Sequence, residues 1–186
     1  HRLVENEEQK LRAIINPFIW GFDDDTIESV VGKLLAKYGE TVSTAESCTG
    51  GNMSKMITSI SGSSAYYYGS IISYDNSVKI NQLNVNPNDI ERVGVVSEEV
   101  VKTMASEVRK KIGTTYGIAT SGIAGPTGGT AEKPVGTVWI AVASGQNIVT
   151  QKFMLGKERD TNIEKATVYA LRMLQQLILN EHNATV

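Results

Sequence analysis

From Thr41 onward, short runs rich in β-branched and aromatic residues alternate with longer stretches whose apolar residues recur every three or four positions. This alternation constrains the fold more than any other feature, because strands separated by amphipathic helices pair in parallel and must be covered on both faces. Strands are predicted over residues 41–45, 66–74, 116–119, 135–143 and 148–155. The first helix is predicted from Asp24 or Asp25 as N-cap, carries Ile27, Val30, Val31, Leu34 and Leu35 on one face, and stops at Gly39. Further helices carry Met53, Met56, Ile57 and Ile60; Lys79, Ile80 and Leu83 behind Asp75-Asn76; and Val100, Met104 and Val108 behind Ser97. The last begins near Asp160 with a stripe from Ile163 to Ile178. The turn Gly145-Gln146-Asn147 joins the final two strands as a hairpin, which turns one strand against the rest. The expected fold is a three-layer α/β/α sandwich with a mostly parallel mixed sheet that includes one antiparallel strand. A chain of 186 residues, 41% hydrophobic, suffices for one such domain, expected over residues 23–183, with residues 1–22 as a short helix and an apolar piece outside it.

Charge and rare residues narrow the chemistry. With 18 Lys and Arg against 20 Asp and Glu, the chain has no global field to attract nucleic acid or an anionic membrane. It also has no apolar run approaching the ~18 residues that span a bilayer and no signal-peptide pattern, so a cytoplasmic location is expected. One cysteine, Cys48, excludes an internal disulfide and a cysteine zinc cluster. The two histidines, His1 at the first residue and His182 in a polar tail, make a poor metal site and a poor catalytic base. No metal or cofactor is expected, and a hydrolase built from this chain needs Lys, Asp, Glu or Tyr as its general base.

Four stretches stand out, the first three at predicted C-terminal strand ends, where α/β sheets gather their sites. In Ala45-Glu46-Ser47-Cys48-Thr49-Gly50-Gly51 a serine sits at a strand-to-helix turn, and the glycines let backbone N–H groups face an anion. The same spacing fits a plain capping turn, and Cys48, without a histidine partner, reads as a small buried hydrophobe. In Tyr74-Asp75-Asn76-Ser77-Val78-Lys79, an N-cap at Asn76 puts Lys79 at the third helical position, where the helix dipole disfavours its charge. The dipole supplies roughly 0.3–1 kcal/mol, less than the 1.36 kcal/mol of one pKa unit, so only desolvation or a neighbouring cation would make Lys79 a base near neutral pH. A solvated helix lysine fits the pattern too. The loop 121–134, with four glycines and two prolines, matches neither phosphate-binding fingerprint and reads as an anion cradle or an ordered structural loop. Arg159, entering the last helix, reads as a phosphate clamp or a surface charge.

The runs AESCTGG at 45–51, SGIAGPTGG at 121–129 and EKPVGTVWIAV at 132–142 together resemble the C-terminal domain of the CinA family, over about residues 23–180. The resemblance implies a nicotinamide mononucleotide deamidase, which hydrolyses the carboxamide to nicotinate mononucleotide and ammonia without a metal. It further implies Ser47 as nucleophile, with Tyr74 and Lys79 activating it and moving the proton. Substrate would be held by Glu46, Thr49, Gly50, Gly51, Ser121, Gly122, Gly125, Gly128, Gly129 and Arg159, and the oxyanion by amides near Gly50-Gly51 or in the 121–129 loop. The expected partner is thus a small molecule, without nucleic acid or membrane, and a homo-oligomer is expected by analogy. Residues 1–22 resemble the end of an upstream domain of longer members, so the chain is expected to be a fragment lacking that domain. The rival readings are a non-catalytic interaction domain linked to competence or DNA damage, and an amidase for another amide.

Overall fold

The computed structural model describes residues 23–183 together with Glu7, Lys10 and Gly21. The elements run α1 (Ile27–Tyr38), β1 (Val42–Glu46), α2 (Asn52–Thr58), a 3-10 turn (Ser63–Ala65) and β2 (Tyr67–Ile72). There follow α3 (Asn76–Leu83), α4 (Pro87–Val93), α5 (Glu98–Ile112), β3 (Tyr116–Gly122), β4 (Thr137–Ala143), β5 (Ile148–Met154) and α6 (Arg159–Glu181). The strands form one sheet in the order β2-β1-β3-β4-β5. β1 pairs in parallel with β2 and β3, and β4 alone runs against its neighbours. The mixed three-layer α/β fold is as expected. The short helix expected within residues 1–22 falls almost wholly outside the described residues.

Two apolar layers hold the sheet, and side-chain size separates them. Ile118, Ile140 and Val142 face α1, α2 and α6, packing with Leu35, Met53, Leu171, Leu174 and Ile178. Alternation then sends Ala45, Ala119, Ala141 and Ala143 to the other face, against Val100, Val101, Met104 and Val108 of α5. The small residues let α5 lie close to the strands. At Gly117 a Cβ would run into the Ala105 carbonyl, so glycine is required by contact rather than by backbone conformation. Each fully buried Leu or Ile contributes about 1.5–3 kcal/mol through removal from water.

Two local expectations shift. The N-cap of α1 is Thr26, because Thr26 and Ser29 exchange side-chain-to-backbone bonds in a capping box, while Asp25 pairs with Lys33 instead. The turn expected around Pro87 is a seven-residue helix, capped by Asn86 and opened by Pro87 at its first position.

The topology also places the site. After β1 the chain crosses one face through α2 to reach β2; after β2 it crosses the other through α3, α4 and α5 to reach β3. The connections leaving β1 and β3 thus diverge at the carboxyl ends of adjacent strands, which opens a crevice there.

Candidate active site

A cleft of about 170 Å³ occupies that crevice, lined by Ser47 and Cys48 after β1, Tyr74, Asn76 and Lys79 after β2, Val95 and Val96 before α5, Ser121, Gly122 and Ala124 at the end of β3, and Arg159 of α6. A larger groove of about 320 Å³ between β5 and α6 is lined mainly by Val149, Phe153, Tyr169, Met173 and Leu177, and holds no nucleophile beside a base. The groups capable of chemistry converge on the smaller cleft.

Lys79 is 1% exposed. Its N-cap is Asp75 rather than Asn76, so Lys79 lies in the second half of the first turn, and its Nζ donates to the carbonyls of Ser73 (2.6 Å) and Tyr74 (3.0 Å). Burial lowers its pKa from the ordinary 10.5, with Asp75 and Cys48 working weakly the other way. Asp75 is within electrostatic range but uses its carboxylate to cap Ser77, and Lys79 forms no ion pair among the described residues. An ammonium has three protons and two meet carbonyls here, so one position on the nitrogen remains for a group in the cleft.

The Ser47 turn is held at both ends. The Ser47 amide donates to the Thr120 carbonyl (3.1 Å) and the Ser47 carbonyl accepts from Gly50 (3.2 Å). Its hydroxyl has no hydrogen-bond partner among the described residues, and no bond links it directly to Lys79. Cys48 is buried and its thiol is pushed up to about 12 by burial, so it stays a neutral thiol. Glu46 and Thr49 do not line the cleft: both turn inward beneath the turn, where Thr49 donates to the Glu46 carboxylate (2.8 Å). The amides of Gly50 and Gly51 are also engaged, with the Ser47 carbonyl and with Glu46. The Cys48 amide faces its own thiol sulfur, and the Thr49 amide donates to nothing among the described residues.

On the far wall, Ser121 donates its hydroxyl to the Val95 carbonyl (2.7 Å), which ties the end of β3 to the segment entering α5. Gly122 lines the cleft, Gly125 lends its carbonyl to Arg159, and Gly128 and Gly129 lie farther out in the exposed loop. Arg159 donates to Gly125 (2.8 Å) and to the Tyr74 hydroxyl (3.2 Å), joining α6 to the β2–α3 loop at the mouth. Both acceptors are uncharged, and two of its five N–H groups are used. The Tyr74 hydroxyl bonds to Arg159 and not to Lys79 or Ser47, and the residue is 61% exposed.

Asn76, Val95 and Val96 were not singled out by the sequence as lining residues. Asn76 was visible only as a cap candidate, and the one hint for the valines was an extended apolar pair just before the Ser97 cap.

The profile of the CinA C-terminal domain matches residues 24–178. The chain belongs to the CinA family. It is 45% identical over 173 residues to a CinA-like protein of Cytophaga hutchinsonii, covering 93% of this chain and 41% of the relative. With a CinA-like protein of Nostoc punctiforme it shares 49% identity over 148 residues, 80% of this chain and 36% of the relative. The chain thus spans about two-fifths of the length of the curated relatives it matches. Among solved structures, the competence/damage inducible protein CihA of Agrobacterium tumefaciens superposes with a TM-score of 0.79 at 33% identity, covering 84% of this chain and 98% of that one. A CinA superfamily protein of Klebsiella pneumoniae superposes with a TM-score of 0.80 at 29% identity, covering 83% of this chain and 96% of that one.

Among the described residues no group of His, Cys, Asp and Glu is placed to hold a metal ion, and no helix is long and apolar enough to cross a membrane.

Proposed function

We propose that the chain hydrolyses the carboxamide of nicotinamide mononucleotide to nicotinate mononucleotide and ammonia, with Ser47 as nucleophile and Lys79 as base. One observation carries the reading: a free serine hydroxyl and two cations without carboxylate partners, Lys79 and Arg159, line a single cleft. A buried lysine whose pKa is lowered by desolvation gives up its proton more readily, which is what a serine needs for activation where no histidine is at hand.

Neutral Lys79 takes the Ser47 proton as Oγ bonds to the carboxamide carbon, and the carbonyl oxygen becomes an oxyanion. Cys48 follows Ser47 and lines the cleft, so its amide is the donor nearest in the chain to the oxyanion, such a donor being worth roughly 2.7–4 kcal/mol in comparable enzymes. The tetrahedral intermediate then collapses, the C–N bond breaks, and the leaving nitrogen takes the proton from Lys79 to depart as ammonia. Water enters, gives a proton to Lys79, cleaves the acyl ester, and the proton returns to Ser47 Oγ. The cleft of about 170 Å³ lies below the roughly 300 Å³ where drug-sized pockets begin. The amide-bearing ring therefore goes inside and the phosphate remains at the mouth, where Arg159 has N–H groups to spare and the Tyr74 hydroxyl can donate its proton.

The test is ammonia release from nicotinamide mononucleotide, in EDTA, by wild type and Ser47→Ala side by side. Release that survives EDTA and vanishes in the variant is expected. A folded wild type that releases none overturns the reading in favour of an interaction domain.

A further inference from the structure

Glu46 ends the interior strand β1 with a side chain that is 0% exposed and makes no ion pair among the described residues. A buried carboxylate without a cation is unfavourable unless hydrogen bonds surround it. Here they do: Oε2 accepts from Thr49 Oγ1 (2.8 Å), Gly51 N (2.9 Å) and Met53 N (3.1 Å), and Oε1 accepts from Ser54 N (2.8 Å) and Ser54 Oγ (2.6 Å). Ordinary capping does not require an anion this deep, since a Ser, Thr, Asp or Asn before the helix serves. The cap position of α2 is Gly51 at φ 101°, however, and a Cβ there would stand 3.1 Å from Ile72 Cδ1, so the turn excludes a capping side chain of its own. The carboxylate of the preceding strand takes over that role.

The same residue reaches both members of the proposed pair. It precedes Ser47 in the chain, and its carboxylate fixes the Thr49-Gly50-Gly51 segment that follows. Its backbone carbonyl accepts from Ser73 N (2.8 Å), and the Ser73 carbonyl in turn accepts from Lys79 Nζ (2.6 Å). Proton directions along the buried hydroxyls are forced. The carboxylate only accepts, so Thr49 donates to it, and Thr120, 2.9 Å from Thr49 Oγ1, donates to Thr49. Thr120 also supplies the carbonyl that holds the Ser47 amide.

We infer that Glu46 is the positioning residue of this site, a buried hydrogen-bond acceptor that holds the Ser47 turn in reach of Lys79 and withdraws the Gly51 amide from the cleft. The inference rests on the Ser47 and Lys79 reading above. It separates from the substrate assignment if Ser47 reactivity is also measured directly, as the rate of labelling by a fluorophosphonate followed by intact mass. Glu46→Gln keeps the shape but turns an NH₂ group toward donors. Its kcat is expected to fall about 10- to 100-fold with KM for nicotinamide mononucleotide little changed, and the labelling rate to fall in parallel, as small misplacements of a nucleophile do. A folded Glu46→Gln with wild-type kcat and labelling rate overturns the proposal. If Glu46→Gln does not fold, Thr49→Val and Thr49→Ser decide: loss in the first and recovery in the second support it, and equal activity in both overturns it. A wild type that is labelled at Ser47 but releases no ammonia sinks the substrate assignment alone, leaving the labelling rates to decide on Glu46. A wild type that shows neither ends both.

Discussion

The two ends of the sheet treat charge in opposite ways, and α6 joins them, its 23 residues spanning about 34 Å. At its first residue, Arg159 meets only a carbonyl and a phenol, and beside it Lys79 meets only carbonyls. At its last residue, Glu181 is enclosed by three donors: Ser144 Oγ (2.6 Å) and Asn147 Nδ2 (2.8 Å) on one oxygen and Tyr116 OH (3.0 Å) on the other. Next to this cluster His182 stacks on Tyr38 at 3.6 Å and bonds to Glu40 (3.2 Å). Both oxygens of the Glu181 carboxylate are satisfied within the protein, whereas the Arg159 end leaves cations that an anionic substrate or a developing oxyanion would complete. The difference separates polar groups that hold the fold from polar groups that await a ligand.

The largest effect should come from Lys79. Lys79→Met is expected to lower kcat for ammonia release by on the order of 10⁴-fold or more, as loss of one member of a nucleophile–base unit does elsewhere. Stability should not fall with it, because the native state no longer holds a desolvated charge. For a lysine with a lowered native pKa, the unfolded chain binds the proton more tightly. Its destabilising effect is therefore full below the native pKa and disappears as pH rises toward the ordinary 10.5. Wild-type stability should rise through that window relative to the variant, and the wild-type rate should rise with pH through an apparent pKa below 10.5. A pH-independent rate would remove Lys79 as the base. Next in size is Arg159→Ala, expected to raise KM for nicotinamide mononucleotide about 10- to 100-fold at nearly constant kcat, the loss of a charge-assisted contact of about 1.5–3 kcal/mol. The riboside, which lacks the phosphate, should show no such change. An equal loss with both substrates would mean that Arg159 holds the mouth together and does not read charge.

The sequence made the layers legible because each helix that packs on the sheet carries a stripe at helical spacing. α4 escaped because none of its residues is buried, leaving only Asn86 and Pro87 as signals. Of the site, the residue types could be seen but their directions could not. Glu46 and Ser47 are adjacent in sequence, yet one carboxylate turns under the α2 terminus while the neighbouring hydroxyl lines the cleft. The Arg159 contacts with Tyr74 and Gly125 join residues 85 and 34 positions apart, and no local pattern encodes them. Interior strand β1 misleads in another way: Ser43, Thr44 and Glu46 are polar yet buried, each satisfied by partners such as Thr114 Oγ1 for Ser43 (2.7 Å) and Tyr67 OH for Thr44 (3.0 Å).

The smallest expected effect tests the other end. Burial works to raise the Glu181 carboxyl, but the bonds from Asn147, Ser144 and Tyr116 outweigh it and hold the group below its ordinary 4.5. Tyr116 shifts the opposite way, its phenol raised by burial and then by the two nearby carboxylates, so it stays a donor. For an acid with a lowered native pKa, the stabilisation is complete above the ordinary value and is lost as pH falls through the native one. Glu181→Gln, with one acceptor for three donors, should therefore unfold about 1–2 kcal/mol more easily at pH 7, a shift of several degrees in Tm for a chain of this size. The gap between variant and wild type should narrow in acid, once the wild-type carboxylate is also protonated. Both kcat and KM should stay at wild-type values, since no contact of Glu181 reaches the cleft. If kcat falls along with Tm, α6 transmits the state of one end to the other, and the division between a structural end and a chemical end breaks down.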